Sequence, residues 1–201
     1  MTTRRFHPDQ PSTFTFTAEN LAWAKQVIGR YPQGRQASAV LPILWRAQEQ
    51  NGGHVTEPML RVIGDMLGMS YIRVYEIATF YTMFNLQPVG RHLVQVCTTT
   101  PCMLRGSDDL VAVCKKVIDP KPNHVAQGGL WSWMEVECVG ACVNAPVVQV
   151  NKDFYEDLDA KTFEAILHEL KDGRTPKPGS RRGRKSSEPE GGLTTLKEVS
   201  S

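Results

Sequence analysis

Between Glu19 and Phe84, apolar residues recur every three or four positions, the spacing of one face of an α-helix. Four helices are expected there. The first runs from Glu19 to Arg30 on a stripe of Leu21, Trp23, Ala24, Val27 and Ile28. The second starts at an N-capping Ser38 and carries Val40, Leu41, Leu44 and Ala47 toward Gln50, with Pro42 awkwardly near its first turn. Asn51-Gly52-Gly53 ends it. Thr56, with Pro58 just after, opens the third; Met59, Leu60, Ile63, Met66 and Leu67 form its stripe and Gly68 closes it. Ser70 caps the fourth, Tyr71 to Phe84. Apolar and aromatic side chains surround this last helix. A helix apolar on every side needs cover on every side. A small bundle cannot supply it, so a second domain or a partner chain is expected against it.

After Pro88-Val89-Gly90 the pattern changes. His92 to Cys97 reads as a strand. Ser107 caps the next helix, with Asp108 and Asp109 in the first turn, where the helix dipole favours them. Its stripe is Leu110, Val111, Cys114, Val117 and Ile118, and Pro120 stops it. Trp131–Glu137, Pro146–Val150 and Asp153–Leu158 are further strands, and Asp159 or Thr162 opens a final helix to Lys171. The fold class is therefore α+β: a helical bundle over 19–90, then a β-α-β-β-β-α unit over 91–172. Residues 1–18 are polar with two prolines and read as an arm. Residues 173–201 are Gly, Pro, Ser and charge, and are expected to be disordered.

Composition adds exclusions. Of 201 residues, 41% are hydrophobic and 22% charged, an ordinary globular balance that excludes a wholly disordered chain. No stretch offers the ~20 apolar residues of a membrane span. The segment Met1 to Asp9 lacks the apolar core of a secretory signal. A reducing compartment is expected, where five cysteines do not read as a disulfide framework. The net charge is +2, yet 173–201 holds seven Lys or Arg against three Glu, which leaves the remainder slightly acidic. A basic stripe on the fold, as nucleic-acid binding needs, is thus missing. The basic tail reads as a solvated end, and truncation at Gly173 is expected to leave any metal site intact.

The cysteines carry the chemistry. Cys97-x4-Cys102 is followed by 35 residues and then Cys138-x3-Cys142. Each pair follows a strand, and two loops at the same end of one sheet can meet. Four thiolates suit a soft metal. Structural zinc favours Cys-x2-Cys knuckles, as does a thioredoxin-type dithiol. Wider loops suit a [2Fe–2S] cluster, in which each of two irons takes a pair of thiolates. From spacing alone iron–sulfur leads, with zinc and unrelated buried thiols both open. Cys114 lies on the apolar stripe of its helix and reads as an inert core thiol.

At these residues a resemblance emerges. Cys97-Thr-Thr-Thr-Pro-Cys102, Cys138-Val-Gly-Ala-Cys142-Val-Asn-Ala-Pro146 and Val74-Tyr-Glu-Ile-Ala-Thr-Phe-Tyr-Thr-Met-Phe84 resemble the 24 kDa (E-type) subunit family of respiratory NADH:quinone oxidoreductases, complex I. The likeness runs from about Phe14 to Lys171. Departures from the family pattern stand at Gly128, Trp131 and Val139, and the stretch Asp119 to Trp131 is unlike the usual connection. The resemblance implies a thioredoxin-like domain with a mixed sheet behind the bundle. It implies one [2Fe–2S] cluster on Cys97, Cys102, Cys138 and Cys142, and it allows a cis bond before Pro146. FMN and NADH would sit on a neighbouring subunit, whose reduced flavin passes single electrons to this chain. Other peripheral-arm subunits are further partners. The implied place is the cytoplasmic face of a bacterial inner membrane, with the mitochondrial matrix side as the alternative. Equivalent subunits occur in NAD-linked hydrogenases and formate dehydrogenases. The chain has no strand–GxGxxG–helix fingerprint or Walker loop, and so no dinucleotide site of its own is expected.

Such a site would be anionic and hard to reduce. Between Glu135 and Asn151 there is no Lys or Arg. Backbone N–H groups near Gly140 and the N-terminus of the helix at Ser107 are the expected compensation. A potential on the order of −400 mV, as in plant-type ferredoxins, is expected. Arg105 reads as a solvated surface residue, and His54, His92 and His168 have no partner at metal-ligand spacing.

Overall fold

A computed structural model describes residues 4–185 and 195. The chain divides into two compact units, Met1–Arg91 and His92–Ser201.

The first unit holds α1 (Ala18–Ile28), α2 (Val40–Gln50), α3 (Glu57–Leu67) and α4 (Tyr71–Phe80). Thr17 caps α1, its hydroxyl accepting from the Asn20 N–H at 3.2 Å. Ser38 does not cap α2. It lies inside a 3₁₀ turn, Gln36–Ala39, that runs straight into the helix. Pro42 is then the third residue of α2, where a missing N–H costs no intrahelical bond. Gly68 ends α3 in the left-handed conformation at φ +64°. Ile43, Leu44, Met59, Leu60, Ile63 and Phe84 are fully buried in the core of this unit.

Two expectations need correction here. The fourth helix ends at Phe80, not Phe84, because Phe84 turns inward to the core. Arg4 makes that early stop workable, donating to the carbonyls of Thr79, Tyr81 and Phe84 around the helix end. The first unit by itself leaves part of this helix open: of its residues only Val74 and Ala78 are buried, while Ile72 is 56% and Phe80 77% exposed. The other correction concerns the arm. Its polar average hides Phe6, Phe14 and Phe16, and Phe16 is buried. The His7 N–H donates to Leu86 O at 2.9 Å, Gln10 Oε1 accepts from the Glu57 N–H at 2.7 Å, and the Phe6 ring lies 5.3 Å from that of Tyr75. The segment is a strap on the first unit.

The second unit comprises β1 (His92–Cys97), α5 (Thr100–Leu104), α6 (Ser107–Val117), β2 (Trp131–Val136), β3 (Val148–Val150), β4 (Asp153–Glu156), α7 (Ala160–Lys171) and β5 (Gly179–Ser180). The sheet order is β2-β1-β3-β4-β5. The β1–β2 and β4–β5 pairs are parallel and the two between them antiparallel, so the sheet is mixed. Val94, Leu110, Trp131, Trp133, Tyr155 and Phe163 are among its buried core. Asp159 caps α7 as expected: Oδ1 accepts from the Thr162 N–H at 2.7 Å, and Thr162 Oγ1 accepts from the Asp159 N–H at 3.0 Å. Ser107 is instead the first residue of α6. Gly106, at φ +98°, holds the cap position, which a side chain rarely adopts.

Residues 174–185 of the tail take up structure where disorder was expected. Gly179 and Ser180 add β5 to the edge of β4, the Tyr155 hydroxyl reaches Pro176 O at 3.4 Å, and the Arg181 guanidinium lies 5.3 Å from the Tyr155 ring centre. A composition-based reading averages over such contacts, whereas an open strand edge is a strong template for pairing. Residues 186–194 and 196–201 of the expected tail lie outside the described residues.

Candidate metal centre

Strand register brings the two cysteine pairs to one place. In the parallel β1–β2 pair, Cys97 stands opposite Val136, so both strands release their chains at the same end of the sheet. Cys97 is the last residue of β1, and Cys138 follows β2 by two residues. Cys102 sits in α5, a short helix hidden in the sequence by its Pro and Cys content. Cys142 opens a 3₁₀ turn, Cys142–Asn144. The chain then returns through a cis Ala145–Pro146 bond toward β3.

The pairs differ in setting. Cys97 and Cys102 are buried with Ala145 and Val147 in a small apolar cluster flanked by Val139, Ala141 and Phe154. Cys138 and Cys142 are exposed, with their sulfurs 3.3 Å apart. Each pair contains one thiol drawn toward thiolate and one pushed away. Burial works to raise Cys97, but the Thr99 hydroxyl at 3.2 Å and the N–H groups of Val139 and Thr99 outweigh it and hold this thiol below its ordinary range. Burial, and then the neighbouring Cys97, push Cys102 up to about 12. At the surface, the Gly140 N–H, 3.4 Å from Cys138 Sγ, and then the Cys142 thiol lower Cys138. Cys142 is raised, first by Cys138. Charge on Cys97 is felt at both exposed sulfurs, and charge on Cys142 at Cys102. The four therefore form one electrostatic site.

Among the described residues, no three Cys, His, Asp or Glu side chains are gathered tightly enough to hold a single ion. The donors come as two pairs from two loops. Zinc needs all four ligands around one centre, whereas a two-iron cluster takes one pair at each iron. The donor set, two cysteine pairs from two loops, fits a two-iron cluster. Gly140 lies at φ +82°, which frees its N–H to point back at Cys138. Cys114 lies apart, in the sheet core, its thiol pushed to about 12 by burial and then by Glu135.

A cleft of about 390 Å³ opens beside Cys142, between Leu104, Arg105, Val143 and Arg184. Arg105 is exposed and lines this cleft. Arg184, Asp157 and Asn144 were not read from the sequence as part of the site. Arg184 lies 42 residues beyond Cys142, and no periodicity signals a contact at that range.

Residues 24–171 match the thioredoxin-like [2Fe–2S] ferredoxin family. Over 201 residues the chain is 53% identical to an E-type subunit of the NADH-quinone oxidoreductase of Rhizobium meliloti (strain 1021), covering 98% of this chain and 73% of that one. It is 51% identical over 160 residues to the E-type subunit of the NADH-quinone oxidoreductase of Rickettsia bellii (strain RML369-C), covering 80% of this chain and 96% of that one. Among solved structures, an NAD+-reducing [NiFe]-hydrogenase in the H2-reduced state is similar in fold, with a TM-score of 0.54 at 18% identity over 67% of this chain and 23% of the much longer one. No helix among the described residues is long and apolar enough to cross a membrane.

Proposed function

Because the chain belongs to the thioredoxin-like [2Fe–2S] ferredoxin family, we propose that it is the electron-transfer subunit of an NADH:quinone oxidoreductase, with one [2Fe–2S] cluster held by Cys97, Cys102, Cys138 and Cys142. The observation that carries this reading is the β1–β2 register, which delivers both cysteine loops to one end of the sheet. A bound cluster supplies uptake and release of one electron at a time. The residues of the chain do the rest. Cys97 and Cys138 are the readier thiolates, and metal would displace the protons still held by Cys102 and Cys142. The N–H groups of Thr99, Val139 and Gly140 aim positive dipole at sulfur, which favours the anionic site. The apolar cluster around Cys97 and Cys102 keeps water from the inner side. The exposed pair leaves the outer side within reach of a partner.

That partner is a neighbouring subunit binding FMN and NADH. Hydride chemistry moves two electrons, and a one-electron acceptor beside the flavin lets them part singly. On this reading the complex lies at the cytoplasmic face of a bacterial inner membrane, with this chain peripheral. Recovery of the tagged full-length chain from its own cells tests the reading. It should bring with it an FMN-bearing chain and NADH-dependent quinone reduction. Nickel or formate oxidation in the preparation would assign a different parent complex. A colourless, zinc-bearing chain would overturn the reading.

A further inference from the structure

The described end of the chain reaches back to the second cysteine loop. The Asp157 carboxylate is fully buried. It accepts from Ser180 Oγ at 2.5 Å and from Arg184 Nε at 3.1 Å, and a terminal nitrogen of Arg184 pairs with its other oxygen. That same nitrogen donates to Val143 O at 3.1 Å. Val143 is the residue after Cys142. Ser180 Oγ also accepts from the N–H groups of Arg182 and Arg184, both at 3.1 Å, which turns the chain so that Arg184 faces Asp157. The other side of the 3₁₀ turn is held too. Asn144 Nδ2 donates to Glu156 Oε2 at 2.6 Å, and the Asp157 N–H donates to Asn144 O at 2.7 Å. Asp157 stands at φ +55°, an uncommon conformation that aims both its N–H and its carboxylate at this junction.

We infer that residues 174–185 are a latch in which Arg184, anchored on Asp157, is a positioning residue that holds the Cys142–Asn144 turn in place. The step to the cluster rests on the proposed cysteine ligands; the latch itself rests on the contacts above. The chemistry requires arginine. One guanidinium bridges a carboxylate and a carbonyl through a rigid planar fork, which a lysine point charge cannot reproduce. Without it, a buried carboxylate loses its cation, an expensive state. The latch lies beyond residues 24–171, the part that matches the family.

Hydrogen–deuterium exchange on the full-length metal-free chain tests the latch. The informative amides are Asn144 and Ala145, bonded to Ala141 O and Cys142 O. Arg184→Gln, or truncation after Gly173, should speed their exchange by roughly tenfold while leaving the β1 and β3 amides unchanged. Arg184→Lys should fall between. Unchanged exchange at Asn144 and Ala145, or uniform acceleration through the second unit, overturns the latch. Should Arg184→Gln fail to fold, the lysine variant carries the same comparison. Iron release to a chelator from the reconstituted chain is the second readout, and should be several-fold faster in Arg184→Gln. If the unaltered chain takes up no iron, the ligand assignment fails while exchange still judges the latch.

Discussion

Cys97 and Cys138 are the sulfurs that the backbone and Thr99 favour as thiolates, and each is paired with a thiol held back. All four are needed, as thiolates, if each iron takes one pair. Changing Cys97, Cys102, Cys138 or Cys142 to Ala should abolish the visible absorption of the reconstituted chain in each case. Cys114→Ala should keep it, at a packing cost of about 1 kcal/mol in the denaturation midpoint, because that thiol fills the sheet core. Colour retained in any of the first four variants and lost in the last would reverse the assignment. Asp157 gives a pH prediction. Burial opposes its ionisation, but the hydrogen bonds of Arg184 and Ser180 and the charges of Arg184 and Arg182 prevail, holding it below the usual carboxylate range. Glu156 also faces the guanidinium. The stabilisation is therefore complete above the unfolded-state value of about 3.9, and is lost as pH falls through the lower folded value. The stability difference between the unaltered chain and Arg184→Gln should be largest at neutral pH and shrink as acid protonates Asp157, first in the variant, where burial acts on the carboxyl without the guanidinium. A difference that grows in acid would contradict the pairing.

At the scale of elements, glycine decides one contact clearly. Gly64 lies inside α3, where alanine would ordinarily gain up to about 1 kcal/mol. A Cβ there would lie 2.8 Å from Met69 O, a backbone atom of the α3–α4 turn. Overpacking of roughly 1–3 kcal/mol outweighs the propensity gain, so Gly64→Ala should lower the melting temperature. A raised one would show that the turn yields freely. Most of these elements were legible in the sequence, because their signals are local. The strand His92–Cys97 appears at its expected bounds, and Gly68 and Asp159 mark helix ends through their own chemistry. What was not legible depends on distant partners. Helix α4 stops at Phe80 because Phe84 is buried and Arg4 reaches the freed carbonyls. The strand β5 exists because β4 offers an edge. The cysteine set was readable from spacing plus resemblance, while Asp157, Arg184 and Asn144 meet only in the folded chain.

At the scale of the whole molecule, the first unit exposes what a lone bundle would hide. Ile72 and Phe80 leave apolar surface open on α4, a surface available to the proposed partner. Phe80→Ser should leave the melting temperature of the isolated chain within experimental error, because the side chain is already 77% exposed, and should reduce co-recovery of the proposed flavin-bearing subunit. A strongly lowered melting temperature would place that ring in the fold of this chain instead. The second unit has its own core and carries the four cysteines, so the proposed electron transfer and the proposed docking fall on different parts of one chain. The most direct measurement is iron and acid-labile sulfide content of the anaerobically prepared full-length protein, with an EPR spectrum after dithionite reduction. Two irons and two sulfides per chain with a one-electron reduced signal are expected. Natively assembled material with four intact cysteines and no iron would contradict the account.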